Sequence, residues 1–166
     1  MKLKSFVAKF ITACTMATIL VTAPLSIQTE AAGSIESKEL ISVANNLIGT
    51  KYVYGGTTAK GFDCSGFIGY VYKELGLNLP RTSAGMYATG TKVSYDNLQP
   101  GDLVFFNTSG RGVSHAGIYI GAEKFVHSSS SKGVSIARLD DPYYWGARYI
   151  GAKRVASVNV VAAAKK

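Results

Sequence analysis

Along 34–48 the apolar residues Leu40, Val43, Ala44, Leu47 and Ile48 recur at helical spacing. That period gathers them on one side of an α-helix. Ser34 or Ser37 can cap it, Glu36 and Glu39 fall in its first turn, and Gly49 ends it. The stretch 51–61 breaks the period with Gly55, Gly56 and Gly61 and reads as a loop. A second helix is predicted over 64–75. Its apolar face is Phe67, Ile68, Val71, Tyr72 and Leu75, with Asp63 as N-cap and Gly76 just past the end. A short third helix, 82–88, is entered from Pro80.

The second half of the chain changes period. Segments 103–106, 113–120, 124–128, 134–137 and 148–155 are short runs rich in β-branched and aromatic residues, with Gly101, Gly110, Gly112, Gly121 and Gly133 between them. Short strands at this spacing predict a curled antiparallel sheet of about five to six strands. Helices first and strands second is the α+β pattern.

The first residues set the compartment. Lys2, Lys4 and Lys9 precede an apolar stretch from Phe10 to Leu25, and small residues follow at Ala31, Ala32 and Gly33. That order is a secretory signal peptide over 1–32, cleaved after Ala31 or Ala32. The apolar core falls short of the roughly 20 residues a stable membrane span needs. Roughly 134 residues remain, one domain of ordinary size. It spans 33–157, with 158–166 as a short tail expected to fray. The expected location is secreted, cell-wall or periplasmic, and the expected state is a monomer.

Charge adds a partner class. The chain carries 18 Lys and Arg against 10 Asp and Glu. An exported basic domain suits an anionic wall polymer by long-range attraction. No basic cluster is interleaved with aromatics on one element, so nucleic acid is not the expected partner.

Of two cysteines, Cys14 leaves with the signal, and Cys64 is then the single thiol of an exported protein, unable to form an internal disulfide. Its setting, Asp63-Cys64-Ser65-Gly66, places it at a helix start. There the dipole and free N–H groups favour a thiolate and can stabilise an oxyanion. A cysteine that is only core packing would not usually stand between Asp and Ser-Gly. The two histidines, His115 and His127, lie on consecutive predicted strands. A hairpin turning about Gly121 sets them directly opposite, with Cβ atoms about 5 Å apart. His115 can then take the proton of Cys64 while His127 orients the His115 ring. Zinc ligation is the competing use of two His and a Cys, but no HExxH or paired carboxylates accompany them. The expected site holds no metal and no cofactor.

Six segments together carry a resemblance. Tyr52-Val53-Tyr54-Gly55-Gly56, Phe62-Asp63-Cys64-Ser65-Gly66-Phe67, Leu79-Pro80-Arg81-Thr82-Ser83, Pro100-Gly101-Asp102-Leu103-Val104-Phe105-Phe106, His115-Ala116-Gly117-Ile118-Tyr119-Ile120-Gly121 and Phe125-Val126-His127 stand in the order of the NlpC-type cell-wall peptidases. The chain resembles that family over nearly all of 33–157, and the resemblance implies a papain-like fold with a Cys–His–polar triad. The family's nucleophile falls on Cys64, its base on His115 and its third residue on His127. Its active-site tyrosine, an aid to the oxyanion region, falls on Tyr52. Residues that help relatives bind a free stem-peptide amine fall on Asp63, Ser65 and Ser83, and Tyr54 stands where an aromatic walls the pocket. Relatives needing a free N-terminal L-Ala usually carry an extra N-terminal domain. This chain shows none, which favours polymeric or uncapped wall peptides.

The resemblance implies a secreted cysteine endopeptidase of peptidoglycan stem peptides, cleaving between γ-D-glutamate and the diamino acid. Alternatives on the same fold are an N-acetylmuramoyl-L-alanine amidase, an acyltransferase or a catalytically silent wall-binding domain.

Overall fold

In the computed structural model, which describes residues 35–156 and 158–159, a two-residue strand β1 (Ile35–Glu36) runs straight into α1 (Ser37–Asn45). The N-cap is Glu36, in extended conformation, and Ser37 is already helical and buried. A small hairpin, β2 (Thr57–Thr58) and β3 (Gly61–Phe62), occupies what the sequence reads as loop. It leads into α2 (Cys64–Glu74) and then α3 (Ser83–Tyr87). The strands β4 (Thr91–Val93), β5 (Leu103–Phe106), β6 (His115–Gly121), β7 (Lys124–Ser129) and β8 (Gly133–Arg138) follow. Next come a one-turn helix α4 (Trp145–Arg148), β9 (Tyr149–Arg154) and β10 (Val158–Asn159).

Six strands form one antiparallel sheet in the order β4-β9-β5-β6-β7-β8. Alternation along β5 separates its two faces. Leu103 and Phe105 point to one side, where they meet Phe67, Ile68, Val71 and Tyr72 of α2 and Leu40 of α1. Val104 and Phe106 point to the other, against Tyr119, Phe125, Leu139 and Trp145. The helical face of α2 is apolar because it lies on the sheet, and it packs over β6 and β7. Its Tyr72 hydroxyl donates to the Gly101 carbonyl at the start of β5. Next to Gly101, the buried Asp102 carboxylate is gripped by Arg154 of β9 at 2.7 and 2.8 Å.

Two expectations are corrected here. Val158 and Asn159, assigned to the fraying tail, pair in parallel with Ile35 and Glu36, because that ladder gives the short β1 backbone its hydrogen-bond partners. The β6–β7 register also differs from a hairpin centred on Gly121. The turn is Ala122-Glu123, both with positive φ, and the register shifts between Tyr119 and Gly121. Ile118 faces Val126, and on that register His127 lies across from Gly117, not from His115. The shift is two residues, so both histidines keep the same face and become diagonal neighbours. The expected signal segment 1–32 lies outside the described residues. Among those described, no helix is long and apolar enough to cross a membrane.

Candidate active site

Cys64 is the first residue of α2, where the helix's unpaired N–H groups gather. Asp63 caps the helix in extended conformation, its Oδ1 accepting the Gly66 N–H at 2.7 Å. The preceding loop is drawn onto this first turn through its backbone: the Asp63 N–H donates to the Gly56 carbonyl at 3.0 Å. A Cβ on Gly66 would stand 2.0 Å from that carbonyl oxygen, so only glycine permits the approach. The approach seats Tyr52, bridged to Phe62, in the wall beside Cys64. Burial, then the neighbouring Cys64 and Asp63, pushes the Tyr52 hydroxyl above its ordinary range, which keeps it a hydrogen-bond donor.

His115 opens β6 and His127 lies within β7, both buried. Nε2 of His115 and Nδ1 of His127 are 2.9 Å apart, and the rings stand nearly perpendicular at 85°. Nε2 being engaged, Nδ1 is the His115 ring nitrogen left without a hydrogen bond among the described residues. The pair sits in an aromatic cage: Trp145 lies 5.2 Å from the His115 ring and 4.7 Å from the His127 ring, and Phe125 lies 4.9 Å from His127. Glycine at 117 makes room for the Phe125 ring, which a Cβ there would meet at 2.5 Å. This burial holds both imidazoles neutral. It lowers His115 to about 4, and it lowers His127, with help from His115 and Lys132, to about 3.

On the other flank, Arg81 forms a two-point ion pair with Asp63, Nη2 to Oδ2 at 2.5 Å and Nη1 to Oδ1 at 3.0 Å. Nη1 also donates to Ser65 Oγ at 2.9 Å, and Gly55 N–H donates to Asp63 Oδ2 at 3.0 Å. Burial pushes the Asp63 carboxyl up, but the bonds from Arg81 and Gly66 outweigh it and hold it below its usual range. Ser83, the first residue of α3, is buried with its hydroxyl 3.4 Å from the Cys64 sulfur. Tyr54 is 92% exposed and stands at the rim.

These groups line one cleft. A cavity of about 390 Å³ is walled by Tyr52, Cys64, His115, His127 and Trp145, with a hydroxyl-rich edge at Ser129–Ser131. An open depression of about 470 Å³ continues past Cys64 to Tyr54, Asp63, Ser65, Arg81 and Ser83. Tyr52, Cys64 and Ser114 border both. All eight residues singled out in the sequence therefore line this cleft. Two that were not given a role also belong to it. Trp145 is the sole tryptophan, in the aromatic run Tyr143-Tyr144-Trp145, and that run is the signal that could have found it. Arg81 stands inside a motif already noted, and its pairing with Asp63 is visible only in three dimensions.

The NlpC/P60 family model matches residues 49–154. The chain is 44% identical over 139 residues to a gamma-DL-glutamyl hydrolase of Bacillus subtilis, covering 81% of this chain and 34% of that protein. It is 47% identical over 110 residues to the murein DD-endopeptidase MepS/murein LD-carboxypeptidase of Escherichia coli K12, covering 66% of this chain and 57% of that one. The chain thus spans less than two thirds of the length of either relative. The crystal structure of an NlpC/P60 family protein from Bacillus cereus superposes with a TM-score of 0.69 at 37% identity, over 74% of this chain and 41% of that one. A helix-start cysteine sharing a cleft with a paired histidine, and a family match across both, lead to one conclusion: the chain belongs to the NlpC/P60 family.

Proposed function

We propose that the chain is an exported cysteine endopeptidase of peptidoglycan stem peptides, acting on the γ-D-glutamyl–diamino acid bond. The observation that carries this reading is the His115–His127 contact of 2.9 Å in the same cavity as Cys64. His115 Nδ1 takes the thiol proton and the sulfur attacks the carbonyl carbon. The first-turn N–H at Cys64 and the Tyr52 O–H stabilise the oxyanion. His115 returns the proton to the leaving amine, and water then cleaves the thioester to leave a free carboxylate. For Nδ1 to be the acceptor, the His115 proton sits on Nε2 and is donated to His127 Nδ1. His127 thus fixes the tautomer, the role of a triad's third member.

The bond assignment draws support from the B. subtilis relative, whose name specifies a γ-glutamyl linkage. A second reading has its own support: the E. coli relative is named for D,D-endopeptidase and L,D-carboxypeptidase action. The 1–32 segment supports export, with an anionic wall polymer as a further partner for the basic surface.

Mass spectrometry of purified muropeptides, with the Cys64→Ala chain alongside, decides among these. New fragments ending in γ-D-glutamate, absent with the variant, are expected. New fragments ending in D-alanine, or release of the terminal D-alanine to leave the diamino acid at the end, would establish the second reading, and no cleavage with wall binding retained would establish a silent binding domain.

A further inference from the structure

The two sides of Cys64 differ in charge. The open depression beside Asp63 holds the Arg81–Asp63 ion pair, so its charges are matched. The cavity on the histidine side is lined by hydroxyls, aromatic rings and the two neutral imidazoles. Lys132 is the one formally charged side chain among its described lining residues. It is exposed and makes no hydrogen bond or ion pair with a described residue. Its charge reaches inward all the same: after burial and His115, it is what holds the His127 imidazole below its ordinary value.

The backbone that carries Lys132 is fixed. The residue sits in the turn between β7 and β8. Just beyond it the Val134 N–H donates to the Thr50 carbonyl at 2.8 Å, and the Gly49 N–H donates to the Val134 carbonyl at 2.9 Å. Gly133, with φ at +65°, lies so close that a Cβ would stand 2.2 Å from the Thr50 oxygen. The turn is thereby pinned to the loop that leads to Tyr52, and the ammonium stays within one side chain's reach of the cavity.

The direction of the peptide follows from the base. His115 protonates the leaving amine, so the residue that supplies that amine occupies this cavity. On the γ-D-glutamyl reading that residue is the diamino acid. Lysine and diaminopimelate present the same distal ammonium, and diaminopimelate adds a carboxylate on the carbon that bears it. A cavity whose single charge is a cation attracts that carboxylate and repels a side chain ending in an ammonium alone. Asp140 and Asp141 stand in the adjoining depression, which Lys132 also borders; Asp140 is paired with Arg138, and Asp141 accepts the Tyr143 N–H. An ammonium directed there is common to both diamino acids and does not separate them. The charge of Lys132 acts on His127 rather than on His115, which places it away from the leaving nitrogen, towards the far end of a long side chain.

We infer that Lys132 is a specificity residue that pairs with the side-chain carboxylate of the diamino acid on the leaving side, so the enzyme selects diaminopimelate over lysine stem peptides. This rests on the γ-glutamyl assignment of the preceding section.

Two synthetic tetrapeptides, L-Ala-γ-D-Glu-X-D-Ala with meso-diaminopimelate or L-lysine at X, test this with the full chain. The diaminopimelate form is expected to be cut with about three- to tenfold greater kcat/KM, mostly through KM, the size of one exposed ion pair. In Lys132→Met the ratio falls towards one, and in Lys132→Glu it inverts. Equal kcat/KM for the two peptides with the unaltered chain, or a preference that survives in Lys132→Glu, overturns the inference. The tripeptides that end at the diamino acid separate the source of the carboxylate. If the lysine tripeptide, with its free α-carboxylate, is cut as fast as the diaminopimelate tetrapeptide, the side-chain assignment is overturned. If no peptide is cut, the γ-glutamyl assignment fails. Calorimetric binding to Cys64→Ala then decides on Lys132 separately: tighter binding of the diaminopimelate form, lost on adding Lys132→Glu, sustains its role, and equal affinity overturns it.

Discussion

His115 and His127 touch through ring nitrogens 2.9 Å apart although they are not partners across the β6–β7 ladder. Gly117, the residue across from His127, leaves room for the Phe125 ring that packs on His127, where a Cβ would meet it at 2.5 Å. The contact leaves a single His115 nitrogen for Cys64, so removing His127 should free the ring to turn and the proton to change nitrogen. His127→Ala is expected to lower kcat/KM by about 10²–10⁴. His127→Asn, whose amide oxygen can still accept from Nε2, should recover part of it. Equal activity of the two variants would show that acceptance at this position is not what matters.

Loss of the proposed nucleophile should be more severe. Cys64→Ala is expected to reduce turnover of any cleaved muropeptide by several orders of magnitude. Its melting temperature should stay near that of the parent, because the sulfur makes only a 3.4 Å contact with Ser83 Oγ and lies at a half-buried helix start. A variant that digests walls at the parental rate would remove Cys64 from the mechanism.

Acid should destabilise the fold through the same pair. Unfolded, each imidazole titrates near 6.5; folded, His115 is held at about 4 and His127 at about 3 by burial. Between these values the unfolded chain binds protons that the native chain refuses, so stability rises with pH across the window. The contribution is intact above about pH 6.5 and diminishes as pH falls towards 4, by an amount on the order of a few kcal/mol. Thermal melts at pH 7, 5.5 and 4 should show the decline, and His127→Gln should flatten it. An unchanged slope in the variant would place the acid sensitivity elsewhere.

Two glycines of one helix should respond in opposite senses. Gly66→Ala drives a Cβ to 2.0 Å from the Gly56 carbonyl, and backbone on both sides cannot yield cheaply. A loss of about 3 kcal/mol or more is expected, with activity falling as the Tyr52 loop is pushed off Cys64. At Gly69 the nearest atom to a new Cβ is the flexible Met86 Cε at 4.0 Å. Gly69→Ala should therefore stabilise by about 0.5–1 kcal/mol, since alanine suits a helix interior. Denaturant midpoints of the two variants measure both.

What was legible in the sequence was what short-range physics determines. The apolar period of α2, the Asp63 cap and the position of Cys64 depend on neighbours within one or two turns, and each stands where the pattern places it. That the histidines share a face followed from parity, which survives a shift of two. Their register did not follow, because it depends on a turn at Ala122-Glu123 and on the irregularity before it, neither of which hydrophobic alternation encodes. Thr91–Val93 is too short and polar to announce a strand; it becomes one because β9 offers an edge. The one-turn helix carrying Trp145 is likewise invisible locally, being started by a Gly146 N–H bond to the Asp141 carbonyl.

Trp145 is the only indole in the chain, and it rests on both imidazoles. Its emission is consequently a built-in gauge of the proposed catalytic pair. A neutral imidazole in contact with the ring quenches weakly, while an imidazolium quenches strongly, so the proton that the proposed acyl transfer puts on His115 becomes a change in light. Stopped-flow fluorescence on the unlabelled enzyme can follow that proton turnover by turnover, with His115→Ala as the dark control for the signal.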